Sequence, residues 1–167
     1  MSVPEDNCQD EARALFGAAL ELLARREHSR RELREKLAGK FPDADFEALF
    51  ERLRELNYQS DGRFAEVFAR SRVQRGQGPL RIRRELQQRG VDDDLIENAL
   101  EQAEADWFAL AAEQLQRKFR TPVSAALSRE QQLKERARRQ RYLAYRGFPA
   151  DAIHWALDAE ESDLYSD

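Results

Sequence analysis

The feature that most restricts the fold of this chain is a threefold recurrence of short apolar-periodic segments separated by helix stop signals. In the first round, Leu15, Phe16, Ala19, Leu22 and Leu23 share one face at the 3.6-residue period, which predicts a helix from about Gln9 to Glu27. Ser29-Arg30-Arg31-Glu32 reads as a capping box, the Ser hydroxyl taking the Glu32 amide while the Glu carboxylate reaches back to the Ser amide. The helix it opens buries Leu33 and Leu37. A third helix after Phe41-Pro42-Asp43 carries Phe46, Leu49, Phe50, Leu53 and Leu56 as its apolar stripe and ends near Asn57.

The pattern then restarts. Asp61 is a suitable N-cap for a helix burying Phe64, Val67 and Phe68, and Gly76-Gln77-Gly78-Pro79 stops it. Ile82 and Leu86 form an i, i+4 pair behind Pro79, and Gly90 can supply the left-handed residue that closes their helix. Asp92 opens the next helix, with Leu95, Ile96, Ala99, Leu100 and Ala103 as its stripe. A third round begins with Trp107, Phe108, Ala111, Ala112, Leu115 and Phe119 and breaks at Thr121-Pro122. Ser128-Arg129-Glu130-Gln131 is a second capping box, the long helix behind it ends at Gly147, and a last helix buries Ile153, Ala156 and Leu157.

Superposed, Leu33 and Leu37 align with Ile82 and Leu86, Arg89-Gly90-Val91 with Arg146-Gly147-Phe148, and Ile96-Ala99-Leu100 with Ile153-Ala156-Leu157. Each round is three helices in about 50 residues, as in helical repeat arrays. Arg139 stands where Leu33 and Ile82 stand, so the third round's middle helix is expected to bury less. The expected fold is all-α: an elongated array of three tandem three-helix repeats at 13–60, 61–104 and 105–159. A flexible arm, 1–12, precedes them and an acidic frayed tail, 160–167, follows.

Composition agrees. Hydrophobic residues make up 41% and charged residues 36%, which suits several thin cores in series better than one large one. No stretch reaches the roughly 18 apolar residues of a membrane span, and the first ten residues lack the blocks of a signal peptide. A cytoplasmic chain with no membrane contact is expected. Cys8 is the only cysteine, so no internal disulfide or thiolate cluster can form, and it reads as an incidental thiol.

Two histidines, His28 and His154, lie far apart without a third ligand at metal spacing; both read as structural. Asp92-Asp93-Asp94 suits a helix N-terminus and lacks the spaced ligands and glycine of a calcium loop. Gly76-Gln77-Gly78 lacks the ending of a phosphate-binding loop. Trp107, Tyr142 and Trp155 read as core aromatics, leaving Tyr58 and Tyr145 as surface candidates. No catalytic, cofactor or metal site is expected, and the chain reads as a non-enzyme.

The charge distribution points elsewhere. The net charge of -4 hides bands: eight basic against two acidic side chains in 62–90, none against eight in 91–114, ten against two in 115–147, and none against six in 148–167. Long like-sign stretches repel within a fold, and an anionic partner surface relieves that repulsion, arginine being suited to bidentate contact with carboxylate or phosphate. Charge clustering nominates Arg63, Arg70, Arg72, Arg75, Arg81 and Arg84 with Lys134, Arg138, Arg141 and Arg146 as partner-binding residues.

Several segments also resemble a known family. Glu21-Leu22-Leu23-Ala24-Arg25-Arg26-Glu27-His28-Ser29-Arg30-Arg31-Glu32-Leu33 with Lys36-Leu37, Leu56-Asn57-Tyr58 with Asp61, and Arg63-Phe64-Ala65 are similar to the RecX regulatory proteins of bacteria. So are Gly76, Gly78, Ile82, Leu86 and Gly90, and Tyr142-Leu143 with Arg146-Gly147-Phe148. The resemblance runs from about Ala18 to Leu157 and is weakest over 103–132. It implies a monomer that binds the RecA recombinase filament on single-stranded DNA and mainly inhibits its ATPase and strand exchange, without a cofactor and with only weak contact to DNA. A reading from another class is a stand-alone helical nucleic-acid-binding regulator. Against it, acidic bands flank both basic ones.

Overall fold

The structure, a computed structural model, describes residues 4–163, with side chains described for 7–162. Among the described residues there are nine helices and no strand. Three fall in each round: α1 (Pro4–Arg25), α2 (Arg30–Ala38) and α3 (Phe46–Glu55); α4 (Asp61–Gln74), α5 (Pro79–Gln88) and α6 (Asp93–Gln102); α7 (Trp107–Lys118), α8 (Arg129–Arg146) and α9 (Ala150–Asp163). The expected all-α arrangement of three-helix repeats is the one observed.

Both capping boxes form. Glu32 N donates to Ser29 Oγ at 3.1 Å and Ser29 N to Glu32 Oε2 at 3.4 Å; Gln131 N donates to Ser128 Oγ at 3.3 Å and Ser128 N to Gln131 Oε1 at 3.0 Å. Asp61 is not the cap of α4. That role falls to Ser60, whose Oγ accepts from Arg63 N at 3.2 Å. Asp61 Oδ1 instead accepts from Arg30 N at 2.9 Å and Gln59 Nε2 at 2.8 Å. The carboxylate thus satisfies a free amide at the positive end of α2, a helix 31 residues back in the chain.

Residues 4–12, expected as an arm, are the first turns of α1, and α9 carries its helix through Glu160 and Glu161 to Asp163. The rest of the expected arm and tail lies outside the described residues. Helix continues here because neither segment holds a breaker after Pro4, and Pro4 itself suits a first turn.

The chain divides into two compact units. One holds the chain up to Phe68 with Leu86–Ala99, the other Ala69–Glu85 with the chain from Leu100, so the middle round contributes to both. In the first unit, Leu15 and Ala19 of α1, Leu33 and Leu37 of α2, and Leu49, Phe50 and Leu53 of α3 form a buried cluster with Phe41. In the second, Ala111 and Leu115 of α7 and Leu143 of α8 pack with Phe148 and with Ala152, Ile153, Ala156 and Leu157 on α9.

The middle round buries Phe64, Ala65, Ala69, Ile82, Leu86, Ile96 and Ala99, but Val67 is exposed. The inner face of α4 therefore steps through 64, 65 and 69, where small alanines admit close packing, and not through Val67. Leu56 is also exposed, because α3 stops at Glu55 and the chain turns away at Leu56. Phe108 and Trp155 are partly exposed and meet edge-on at 5.9 Å, where burial was expected.

The Arg-Gly helix ends that align in sequence are used alike. In the first unit Ser29 Oγ donates to Arg89 O at 2.8 Å, so the end of α5 meets the N-terminus of α2, and Gly90, φ +74°, closes α5 as its position predicts. In the second unit Gly78 N donates to Arg146 O at 2.8 Å and Leu80 N to Gly147 O at 3.0 Å, so the end of α8 meets the N-terminus of α5. The first joint sets a carbonyl against the Ser29 hydroxyl and the second sets two carbonyls against free amides, and both oppose helix dipole ends of opposite sign. A Cβ on Gly78 would lie 2.3 Å from Gly147 O, which is why only glycine fits.

Candidate partner-binding surface

The charged residues nominated by sequence divide by what their side chains touch. Arg63 is spent on the fold: its Nε donates to Glu27 and its terminal nitrogens to Asn57 O and Tyr58 O, closing the α3–α4 connection. Arg146 is likewise engaged, reaching Gly76 O at 3.2 Å, Arg75 O, and Gln114 Oε1 at 3.1 Å. Arg72 and Arg81 each bond Glu85 at 3.0 Å.

Six remain as a surface, all in the second unit. Lys134, Arg138 and Arg141 are exposed and recur with Tyr145 at i, i+4, i+7 and i+11 on α8, hence on one face. Lys134 pairs with Glu130 at 2.7 Å and Arg138 with Glu135 at 3.6 Å, both solvent-exposed pairs that a partner's anion can displace at little cost. Arg70, Arg75, Arg84 and Arg141 are exposed and make no ion pair among the described residues. Arg84 and Tyr145 line one groove between α5 and α8.

The aromatics kept as surface candidates, Tyr58 and Tyr145, are 49% and 75% exposed. Trp155, read as core, is also 49% exposed; a tryptophan at helical spacing looks the same to sequence whether its helix end is covered or not. Of the histidines, His154 is exposed, and His28 is buried with Nδ1 3.0 Å from Arg26 O. Burial pushes the His28 pKa below its ordinary value of 6.5, opposed by the Arg26 carbonyl bond. The fold thus favours the neutral ring, so stability is expected to hold above pH 6.5 and to fall as pH drops below it, where the unfolded chain gains a proton the folded one resists. Urea midpoints on either side of that pH check this.

Among the described residues no group of three or more His, Cys, Asp and Glu could hold a metal ion, and no helix is long and apolar enough to cross a membrane.

Models of the first, second and third three-helix domains of RecX match residues 16–53, 60–100 and 104–157. The regulatory protein RecX of Halorhodospira halophila is 47% identical over 151 residues, 90% of each chain. The chain belongs to the RecX family. The RecX of Chromohalobacter salexigens is 45% identical over 83% of this chain and 88% of its own, and that of Pseudomonas entomophila 43% over 91% and 94%. A crystal structure of RecX from Lactobacillus salivarius shares the fold at a TM-score of 0.70 and 22% identity, covering 92% of this chain and 98% of that one.

The residues that carry the RecX resemblance in sequence are mostly structural. Glu32 serves the capping box and pairs with Arg26 at 3.0 Å and Arg89 at 3.4 Å, Asp61 serves α2, Arg63 closes a loop, and Leu33, Leu37, Ile82 and Leu86 are buried. None of the four exposed, unpaired arginines belongs to those motifs.

Proposed function

We propose that this chain binds the RecA recombinase assembled on single-stranded DNA and restrains its ATPase and strand-exchange cycle, acting as a monomer in the control of DNA repair and recombination in the cytoplasm. The observation that carries the reading is the match to relatives named regulatory protein RecX along about nine-tenths of both chains. The surface supports it. Arg70, Arg75, Arg84 and Arg141 face solvent without intramolecular carboxylates, so contact with an anionic surface costs them no ion pair.

Restraint needs no chemistry in this chain. A bound regulator favours whichever filament state it binds more tightly, to the extent of that difference in affinity. The overall charge of -4 limits attachment to bare DNA, so the mixed surface of protein and phosphate that a filament offers is the better partner.

The test is a titration of the full chain into recombinase hydrolysing ATP on single-stranded DNA. Hydrolysis is expected to fall with added protein, and the double variant Arg70→Glu/Arg75→Glu should need about ten-fold more protein for the same effect with unchanged helix content. Hydrolysis indifferent to the wild-type chain overturns the proposal.

A further inference from the structure

The groove between α5 and α8 in the second unit combines an open aromatic ring with Arg84, which makes no ion pair among the described residues. It has a volume of about 340 Å³, at the small end of ligand clefts, and Leu80, Arg81, Arg84, Glu85, Ala144 and Tyr145 line it with Gly147. Tyr145 is 75% exposed, and the Arg81 guanidinium lies 5.2 Å from its ring centroid. Glu85, the one carboxylate in the groove, accepts from both Arg72 and Arg81 at 3.0 Å. It therefore fixes Arg81 beside the ring instead of repelling an incoming anion. Arg84 lines the groove with no ion pair among the described residues, and Arg141, one helical turn before Tyr145 on α8, is exposed and likewise unpaired.

An extended peptide laid along α5 would need backbone donors, and Leu80 N at the groove and Gly78 N just before it already donate to Gly147 O and Arg146 O. What remains is a stacking surface flanked by guanidinium groups, the combination that holds single strands without reading their sequence.

We infer that this groove binds a single-stranded nucleic acid, one base stacking on Tyr145 and the adjoining phosphates meeting Arg84 and Arg141. Resting on the function proposed above, the strand is the one the recombinase coats, and the groove is the regulator's own hold on it. Weak attachment suits that role, since one platform and two charges add to a protein–protein contact without competing for free strands.

The experiment titrates fluorescein-labelled oligothymidylate with the full-length chain at low salt, read by fluorescence anisotropy. Wild type is expected to bind, and to weaken as salt is raised. Tyr145→Ala should bind about ten-fold more weakly while Tyr145→Phe, which keeps the ring, binds as wild type. Arg84→Ala should lower the slope of log affinity against log salt by about 0.7, the share of one phosphate contact on a single strand. Both side chains are exposed, and far-UV circular dichroism should show unchanged helix content.

Absence of wild-type binding overturns the inference. So does binding by Tyr145→Ala and Arg84→Ala equal to wild type. Polyglutamate displacing the probe more effectively than unlabelled oligothymidylate also overturns it, by assigning the groove to an acidic protein segment. No recombinase is present, so a wild-type chain that binds oligothymidylate but leaves the ATPase untouched sinks the proposed function and leaves the groove assignment standing.

Discussion

Arg139→Ala is expected to destabilise the second unit by about 3–5 kcal/mol, the range for breaking a buried ion pair from one side. Arg139 is 3% exposed and holds Glu135 Oε2 at 2.7 Å, Glu160 Oε2 at 3.1 Å and Thr121 O at 2.9 Å, with its guanidinium 4.5 Å from the Phe119 ring centroid. Truncation strands the Glu160 carboxylate, 13% exposed, and the Thr121 carbonyl without their donor. Removing both charges together should behave differently. Arg139→Leu/Glu160→Met replaces the pair by apolar side chains and is expected to recover most of the loss, because no buried charge is left alone. Denaturant melts of the two variants decide the matter, and a loss under about 1 kcal/mol for Arg139→Ala would show that the network contributes little.

Leu86→Ala is expected to cost about 2–5 kcal/mol, the range for emptying a buried leucine site. Leu86 is fully buried, and it occupies the α5 position equivalent to Leu37 in α2. Leu80, on the same helix, is 48% exposed, so Leu80→Ala should stay within about 0.5 kcal/mol of wild type. Urea midpoints of the two variants compare burial directly. Equal losses from both would mean that the helix face facing inward is not the one read here.

Arg139 also shows where reading the chain by hydrophobic period stops. An arginine at an apolar position predicts a helix that buries less, and α8 does bury only Arg139 and Leu143, but the arginine itself is one of the two. The residues that make burial tolerable, Glu135 and Glu160, are one helical turn away and on another helix, and Glu160 falls in a segment whose charge suggested a frayed end. Charge counting met the same limit at the surface. Arg63 and Arg146 sit in strongly basic bands, yet their guanidinium groups close loops and hold carbonyls, while Arg70, Arg75, Arg84 and Arg141 in the same bands are free.

What could be settled from the order of residues was local: the two capping boxes, the left-handed end at Gly90, the buried Leu33, Leu37, Ile82 and Leu86 at i, i+4 spacing, and the family, whose motifs include those positions. Caps and periodicity are properties of a few consecutive residues, although packing overrode them at Asp61 and Val67. Partners at long range were decided only by the folded chain. Asp61 left its own helix to serve α2, Gly78 became irreplaceable through Gly147, and Tyr145 came beside Arg81 across two helices. Those pairings depend on how helix ends meet, and an amphipathic pattern specifies which face is buried without specifying what lies against it.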